Sequence, residues 1–163
     1  MFLKRIYAGR MGRKMSLMKP DIVTEGEFEG WQTWTAEAFE HDTAGPFYFK
    51  VDNQGVVAAF RAQPKHMNQG GVIHGGCLMT FADFSLFCIA HEAFKEAEYG
   101  LTVAFTSEFL SGAKLGPLIE ARGELLGEGK SLIFVRGLLT ADGAPCLNYS
   151  ATLKRIHWKA NFS

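Results

Sequence analysis

Disulfide pairs, membrane spans and net charge are all missing from this sequence. Its 163 residues include three cysteines, Cys77, Cys88 and Cys146. An odd number without CxxC spacing argues against a disulfide framework or a zinc site. Two of the three fall in an apolar stretch, where Cys behaves as a small hydrophobe, and a reducing cytoplasm is the simplest setting. No apolar run reaches the ~18–20 residues that cross a bilayer; the nearest is interrupted by Asp83. The N-terminus lacks an apolar signal core, so no membrane association is expected. Lys and Arg balance Asp and Glu at 17 each, so no general attraction to nucleic acid follows. Neither Ser85 nor Ser107 lies in a GxSxG elbow. His66 and His74 stand apart with no further ligand cluster, so no metal site is expected. There is no internal repeat and no low-complexity run.

The charge balance hides an asymmetry. Residues 1–20 hold six of the 17 basic residues and no acid, which leaves eleven basic against 17 acidic residues in a mildly acidic body. Residues 1–27 read as a basic, then polar, N-terminal tail, with Met11, Met15 and Met18 as alternative starts. Such a start can serve as an import signal, but it has few serines and no amphipathic period. Residues 28–163 read as a single domain, long enough to bury a real core, with an apolar fraction of 47%.

The stretch from Asn68 to Asp83 organises the rest. Its first half is a turn in which Gly70, Gly71, Gly75 and Gly76 free the backbone. From Gly76 to Ala90 the residues are small, apolar or aromatic with one charge, Asp83. A helix apolar on every side is normally buried on every side, and a lone carboxylate there is costly unless hydrogen-bonded or paired. Asn68, His74 and the free amides of a helix N-terminus stand just ahead of it.

Around this helix the pattern is mostly strand. Residues 28–42, with Trp31, Trp34 and Phe39, predict a short helix over one end of the core. Phe47–Val51 and Val56–Ala62 predict strands joined by a turn at Asp52–Gly55. The helix is expected to run to about Phe94. Leu101–Leu110, Leu118–Leu126, Leu132–Thr140 and Cys146–Ile156 then read as four strands. In the second of these Ile119, Ala121, Gly123 and Leu125 share one face. One long apolar helix and one antiparallel sheet are best satisfied when the sheet curls around the helix, an α+β fold. The helix faces that one sheet cannot cover call for a second copy of the chain.

Asn-x-x-Gly-x-x-His-Gly-Gly followed by a helical Asp, in this strand order, resembles the hotdog-fold acyl-CoA thioesterases, most nearly the phenylacetic-acid-degradation and human-type branch. The resemblance covers about residues 45–156, including a second matching segment from Gly100 to Gly116. It implies a hotdog fold, a curved antiparallel β-sheet wrapped around a long central α-helix. By the resemblance Asp83 is general base or nucleophile, the Gly75 amide polarises the thioester carbonyl, Asn68 supplies a loop amide, Thr102 helps to position water, and His74 is a further site member. Gly76 and the segment Phe109, Ser111, Gly112, Ala113 and Lys114 would line the coenzyme A channel, with Gly112 where relatives commonly have Pro. Lys114 and Lys130 are candidates for its phosphates. The resemblance also implies a homodimer with shared active sites, the Asn68–Gly75 loop of one subunit meeting Asp83 and Thr102 of the other, and a pairing of dimers into a homotetramer. No cofactor is implied beyond the coenzyme A that forms part of the substrate.

The chemistry agrees with these assignments. Thioester hydrolysis needs an activated water or a nucleophile, and donors for a developing oxyanion. Desolvation raises the pKa of a carboxyl group in an apolar helix and makes it a better base. Amides at a helix N-terminus suit an oxyanion. Two other classes remain open. A hotdog hydratase or dehydratase needs a His and acid arrangement that this chain lacks, and a non-catalytic acyl-CoA-binding module is disfavoured by the intact Asp83.

Overall fold

The computed structural model describes residues 20–35, 38–95 and 98–157. Among them eight strands form one sheet: β1 (Asp21–Ile22), β2 (Gln32–Thr33), β3 (Tyr48–Asp52), β4 (Gly55–Arg61), β5 (Glu98–Phe109), β6 (Leu118–Glu128), β7 (Leu132–Ala141) and β8 (Ala144–His157). All neighbours are antiparallel, in the order β1-β2-β3-β4-β6-β7-β8-β5. The long helix α1 (Gly75–Ile89) lies in the concave face and packs on β4 to β8. This is the expected hotdog arrangement, with the sheet curled around its helix.

Two tight turns set the registers. The β3–β4 hairpin pairs Asp52 with Gly55; Asp52 accepts a hydrogen bond from the Gln54 amide at 2.8 Å, and Gly55 takes φ +103°. Between β7 and β8, Asp142 (φ 46°) and Gly143 (φ 85°) both lie in the left-handed region, as a two-residue turn that follows sheet twist requires. The Asp142 carboxylate also accepts from the Leu118 amide at 2.9 Å, tying this turn to the start of β6.

The core forms where sheet and helix meet. Leu147, Tyr149, Ala151, Leu153 and Arg155 point inward at every second position of β8. From α1, Leu78, Phe81, Ala82, Ser85, Leu86 and Cys88 are buried, and Phe81 meets Phe47 and Phe60 at ring separations of 5.0 and 4.8 Å. The helix is not buried on every side, however. Gly76 and Met79 are exposed and Thr80, Asp83 and Phe87 are half-exposed, one stripe at helical spacing. At the far end Arg155, 8% exposed, donates to the carbonyls of Ala93 and Gly129 and pairs with Glu128 and Glu98, joining the exit of α1 to the β6–β7 turn.

Three expectations need correction. The helix foreseen over residues 28–42 is replaced by strand β2 and a single π-helical turn, Phe39–Thr43; residues 36–37 lie outside the described residues. Trp34 explains the change, because its ring stacks on Phe49 at 4.7 Å and holds this segment along the sheet. Helix α1 ends at Ile89, before a 3-10 turn at His91–Ala93. The polar tail drawn to residue 27 meets the fold earlier. β1 pairs with β2, Phe28 stacks on Tyr48 at 4.2 Å and Glu27 pairs with Arg61. Residues 1–19 of that tail lie outside the described residues.

One buried hydrogen bond predicts an asymmetric pair of variants. Ser85 Oγ donates to the Ala82 carbonyl at 2.7 Å, so the buried Tyr149 hydroxyl is the donor in its contact with Ser85 Oγ. Tyr149→Phe removes that donor and leaves Ser85 satisfied, whereas Ser85→Ala strands a buried hydroxyl. Chemical denaturation should show a loss of about 1 kcal/mol for Tyr149→Phe and about 1–3 kcal/mol for Ser85→Ala.

Candidate active site

Asp83 sits on the open stripe of α1, in a groove of about 810 Å³ that is also lined by Trp34, Glu40, Thr80 and Phe87. Thr102 on β5 donates to Asp83 Oδ1 at 2.6 Å. A β-bulge makes this contact possible. Thr102 pairs with Leu153 and Ala104 with Thr152, which leaves Val103 as the extra residue. The bulge shifts the inward parity of the strand, so that Thr102 and Phe105 both face the helix although they are an odd number apart. Bulges re-aim side chains in this way beside functional sites.

Burial pushes the Asp83 carboxyl above the ordinary aspartate range; the Thr102 hydrogen bond works against the shift and the nearby Glu40 carboxylate adds to it. The net result is a carboxylate that binds protons more readily than a surface aspartate, as a general base requires.

The other predicted residues gather at the N-terminus of α1. Asn68 closes the glycine turn: its Oδ1 accepts from the amides of Gly70 (2.8 Å) and Val72 (3.3 Å). The side-chain carbonyl is thus engaged, and the Asn68 group able to meet a ligand is the NH₂ donor. His74 is the helix N-cap, and its Nδ1 accepts from the Gly76 amide at 2.9 Å. The amides of Cys77 and Leu78 both reach the His74 carbonyl. Within the first turn this leaves the Gly75 N–H as the donor without a partner, in the place where helix amides favour negative charge.

Phe109–Lys114 lies against the same turn. The Ile73 amide donates to the Ala113 carbonyl at 2.7 Å, a Cβ on Gly112 would sit 3.1 Å from Val72, and a Cβ on Gly75 would sit 3.0 Å from the Phe109 ring. Ser111 donates to the Pro145 carbonyl at 2.7 Å. Lys114 is exposed at this end of α1. Lys130 is exposed at the other end, beside Gly129, which the Arg155 guanidinium holds next to Ala93. The two lysines therefore flank opposite ends of one subunit.

The predicted site residues thus form two groups in one chain. Asp83 and Thr102 are in hydrogen-bond contact. Asn68, His74, Gly75, Gly76 and Phe109–Lys114 form a second cluster, of which Gly76 also borders the Asp83 groove. Eight residues separate Gly75 from Asp83, about 12 Å along the helix axis, too far for both to meet one carbonyl group. Sequence reasoning missed Trp34, Phe39 and Glu40, which line the Asp83 groove. Their only signal was a pair of aromatics ahead of β3. His66, by contrast, is a core residue. It is 4% exposed, its Nδ1 accepts from the Gln63 amide, and burial pushes its pKa down. Among the described residues no cluster of three or more His, Cys, Asp or Glu is placed to hold a metal, and no helix is long and apolar enough to cross a membrane.

Known proteins are similar to this chain in sequence and fold. Residues 70–145 match the family model of the thioesterase superfamily. A Pseudomonas aeruginosa protein described as an esterase is 30% identical over 112 residues, covering 68% of this chain and 84% of that protein. Mouse acyl-coenzyme A thioesterase 13 is 28% identical over 85 residues, covering 52% of this chain and 60% of the mouse protein. Among solved structures, a Streptococcus pneumoniae hypothetical thioesterase crystallised with coenzyme A superposes with a TM-score of 0.61 at 19% identity, over 70% of this chain and 88% of that one. The helix wrapped by a curved sheet is that of the hotdog thioesterases. This chain belongs to the thioesterase superfamily and is a thioester hydrolase.

The raised Asp83 carboxyl predicts a pH-dependent stability difference. Its folded pKa lies above the unfolded value, so ionising it opposes folding. That cost is absent below the unfolded pKa, grows as the pH rises through the folded pKa and is complete above it. Asp83→Asn keeps an acceptor for Thr102 and removes the charge. Thermal melts should place Asp83→Asn above the wild type near neutral pH, with the gap closing below about pH 4.

Proposed function

We propose that this protein hydrolyses acyl-CoA thioesters to a free acid and coenzyme A, in a site built from two subunits. One observation carries the reading. The perturbed carboxylate and the unpartnered Gly75 amide sit about 12 Å apart on one helix, so they act together only across an interface. Support for coenzyme A as the thiol comes from the mouse relative, named an acyl-coenzyme A thioesterase, and from the coenzyme A bound to the Streptococcus protein.

The scheme is as follows. The thioester oxygen lies against the Gly75 N–H of one subunit, with the Asn68 amide as a second donor and His74 holding the turn in shape. Asp83 of the other subunit, its Oδ1 engaged by Thr102, takes a proton on Oδ2 from a water. The water oxygen adds to the carbonyl carbon, the oxyanion forms at the helix N-terminus, and the C–S bond then breaks. The proton held by Asp83 goes to the departing thiolate. In the alternative, the Asp83 carboxylate attacks the carbonyl carbon itself, the C–S bond breaks to release the thiolate, and water then cleaves the resulting mixed anhydride to the free acid and regenerates Asp83. Coenzyme A enters as part of the substrate, along Gly76 and Phe109–Lys114, with Lys114 facing its phosphates; the scheme calls on no resident cofactor. Lys130, at the far end of α1, serves only a substrate that crosses to the neighbouring subunit.

The sheet supplies the interface. β5 is an edge strand of twelve residues with Leu101 and Val103 about half exposed. A long edge with apolar side chains is a template for pairing, and a second copy added there makes a homodimer. Phe134, 43% exposed on the convex face, favours a further pairing of dimers.

Asp83→Asn should lower kcat by on the order of 10²-fold or more while acyl-CoA binding persists, read from thiol release and equilibrium binding. Verified heterodimers of Asp83→Asn with Asn68→Ala should recover turnover, because one of their two shared sites keeps both intact halves. Wild-type rates in folded Asp83→Asn would show a structural acid, and heterodimers without recovery would place each site within one subunit.

A further inference from the structure

The groove beside Asp83 carries more than the reacting carboxylate. Seven aromatic rings line it: Trp34, Phe39, Phe84, Phe87, Phe94, Tyr99 and Phe105. Among the described residues no Lys or Arg lines it, whereas Glu40, Glu98 and His91 do. A space of about 810 Å³ lies within the ~300–1,000 Å³ typical of small-molecule sites and greatly exceeds what an acetyl group fills.

Its outer wall comes from a part of the chain upstream of the family match at residues 70–145. Trp34 is held by stacking on Phe49 at 4.7 Å and by an edge contact with Phe84 at 5.5 Å. Phe39 begins the π-helical turn that packs on α1, yet its ring is 60% exposed while lining the groove. The fold gains little from an aromatic ring left in that position. At the other end Gly100 keeps the space open. A Cβ there would sit 2.7 Å from both the Phe87 and the Phe94 rings, so the missing side chain lets these rings lean back against β5.

We propose that this aromatic groove is the acyl pocket, with Trp34 and Phe39 as the wall that sets acyl size, and that the enzyme is selective for a bulky, uncharged, apolar acyl group. The inference rests on Asp83 as the reacting carboxylate. The apolar lining desolvates such a group favourably. The acids Glu40, Asp83 and Glu98, with no Lys or Arg among the described lining residues, repel an acyl group that ends in a carboxylate and disfavour the coenzyme A phosphates. An alkyl chain and an aryl ring share the required chemistry.

The test is kcat/KM for acetyl-, octanoyl-, benzoyl- and succinyl-CoA with the wild type, Trp34→Ala, Phe39→Ala and Gly100→Ala. The wild type should favour octanoyl- or benzoyl-CoA over acetyl- and succinyl-CoA by about tenfold or more, as apolar pocket contacts allow, and these two arms separate an alkyl from an aryl preference. Phe39→Ala should cut the preference for the bulky group over acetyl several-fold, chiefly through KM, and Gly100→Ala should do the same by pushing the Phe87 and Phe94 rings into the pocket. Phe39 is exposed, so its variant remains informative if Trp34→Ala fails to fold. An unchanged preference in folded Phe39→Ala and Gly100→Ala, or wild-type turnover that ignores acyl size and charge yet is lost in Asp83→Asn, would overturn the pocket alone. Hydrolysis of none of the four thioesters would overturn both this inference and the thioesterase scheme beneath it.

Discussion

Burial of one apolar helix governs this molecule. The curved sheet covers α1 on most sides and draws its stability from residues such as Leu78, Phe81, Leu86 and Cys88, all essentially inaccessible. The sheet is open along one edge and leaves the stripe from Gly76 to Phe87 uncovered. A carboxylate on a fully covered face would be expelled or left neutral. On the solvent side it would be an ordinary aspartate. Asp83 lies between these limits, desolvated enough to bind protons more readily yet still facing a groove.

The same constraint separates the candidate site residues of one chain into two groups. A straight helix cannot bring its own first turn to its middle, so the Gly75 amide and the Asp83 carboxylate of one chain stay apart. What the helix can do is present a donor at one end and a base on its open face, both along the edge where β5 has no neighbour. Two copies related by an isologous contact would bring each half to the other. In the proposed dimer, the stripe left uncovered by the sheet would be the surface on which substrate and second subunit converge. Ionised Asp83 is itself unfavourable to the folded chain, a stability cost that fits the reactive role proposed for it.

Much of this was legible in the residues. The apolar run from Gly76 to Ala90 with its single acid announced a central helix and a candidate base. The alternation from Ile119 to Ala121, the Asp52–Gly55 turn and the four strands after the helix follow from period and turn chemistry that act over a few residues. Asn68, His74 and Gly75 were readable as a unit because their geometry is local: a side chain closing its own turn and an N-cap two residues from the amide it satisfies.

Whatever depends on distant pairing was decided by the tertiary structure. The bulge at Val103, which turns Thr102 toward Asp83, is a property of how β5 pairs with β8, and no local pattern in β5 marks it. Trp34 and Phe39 read as the apolar side of a short helix. Stacking on Phe49 and Phe84 drew Trp34 along the sheet, and Phe39 follows into the Asp83 groove. Lys114 and Lys130 looked equivalent on their turns until the hydrogen bonds of Ala113 and Arg155 placed them at opposite ends of α1. By itself the sequence determined the strands from Tyr48 onward, the central helix and the identity of its acid, because backbone propensity and hydrophobic period are read residue by residue. Which side chains meet across the groove was settled only by folding, because strand register and ring packing join residues that the chain keeps far apart.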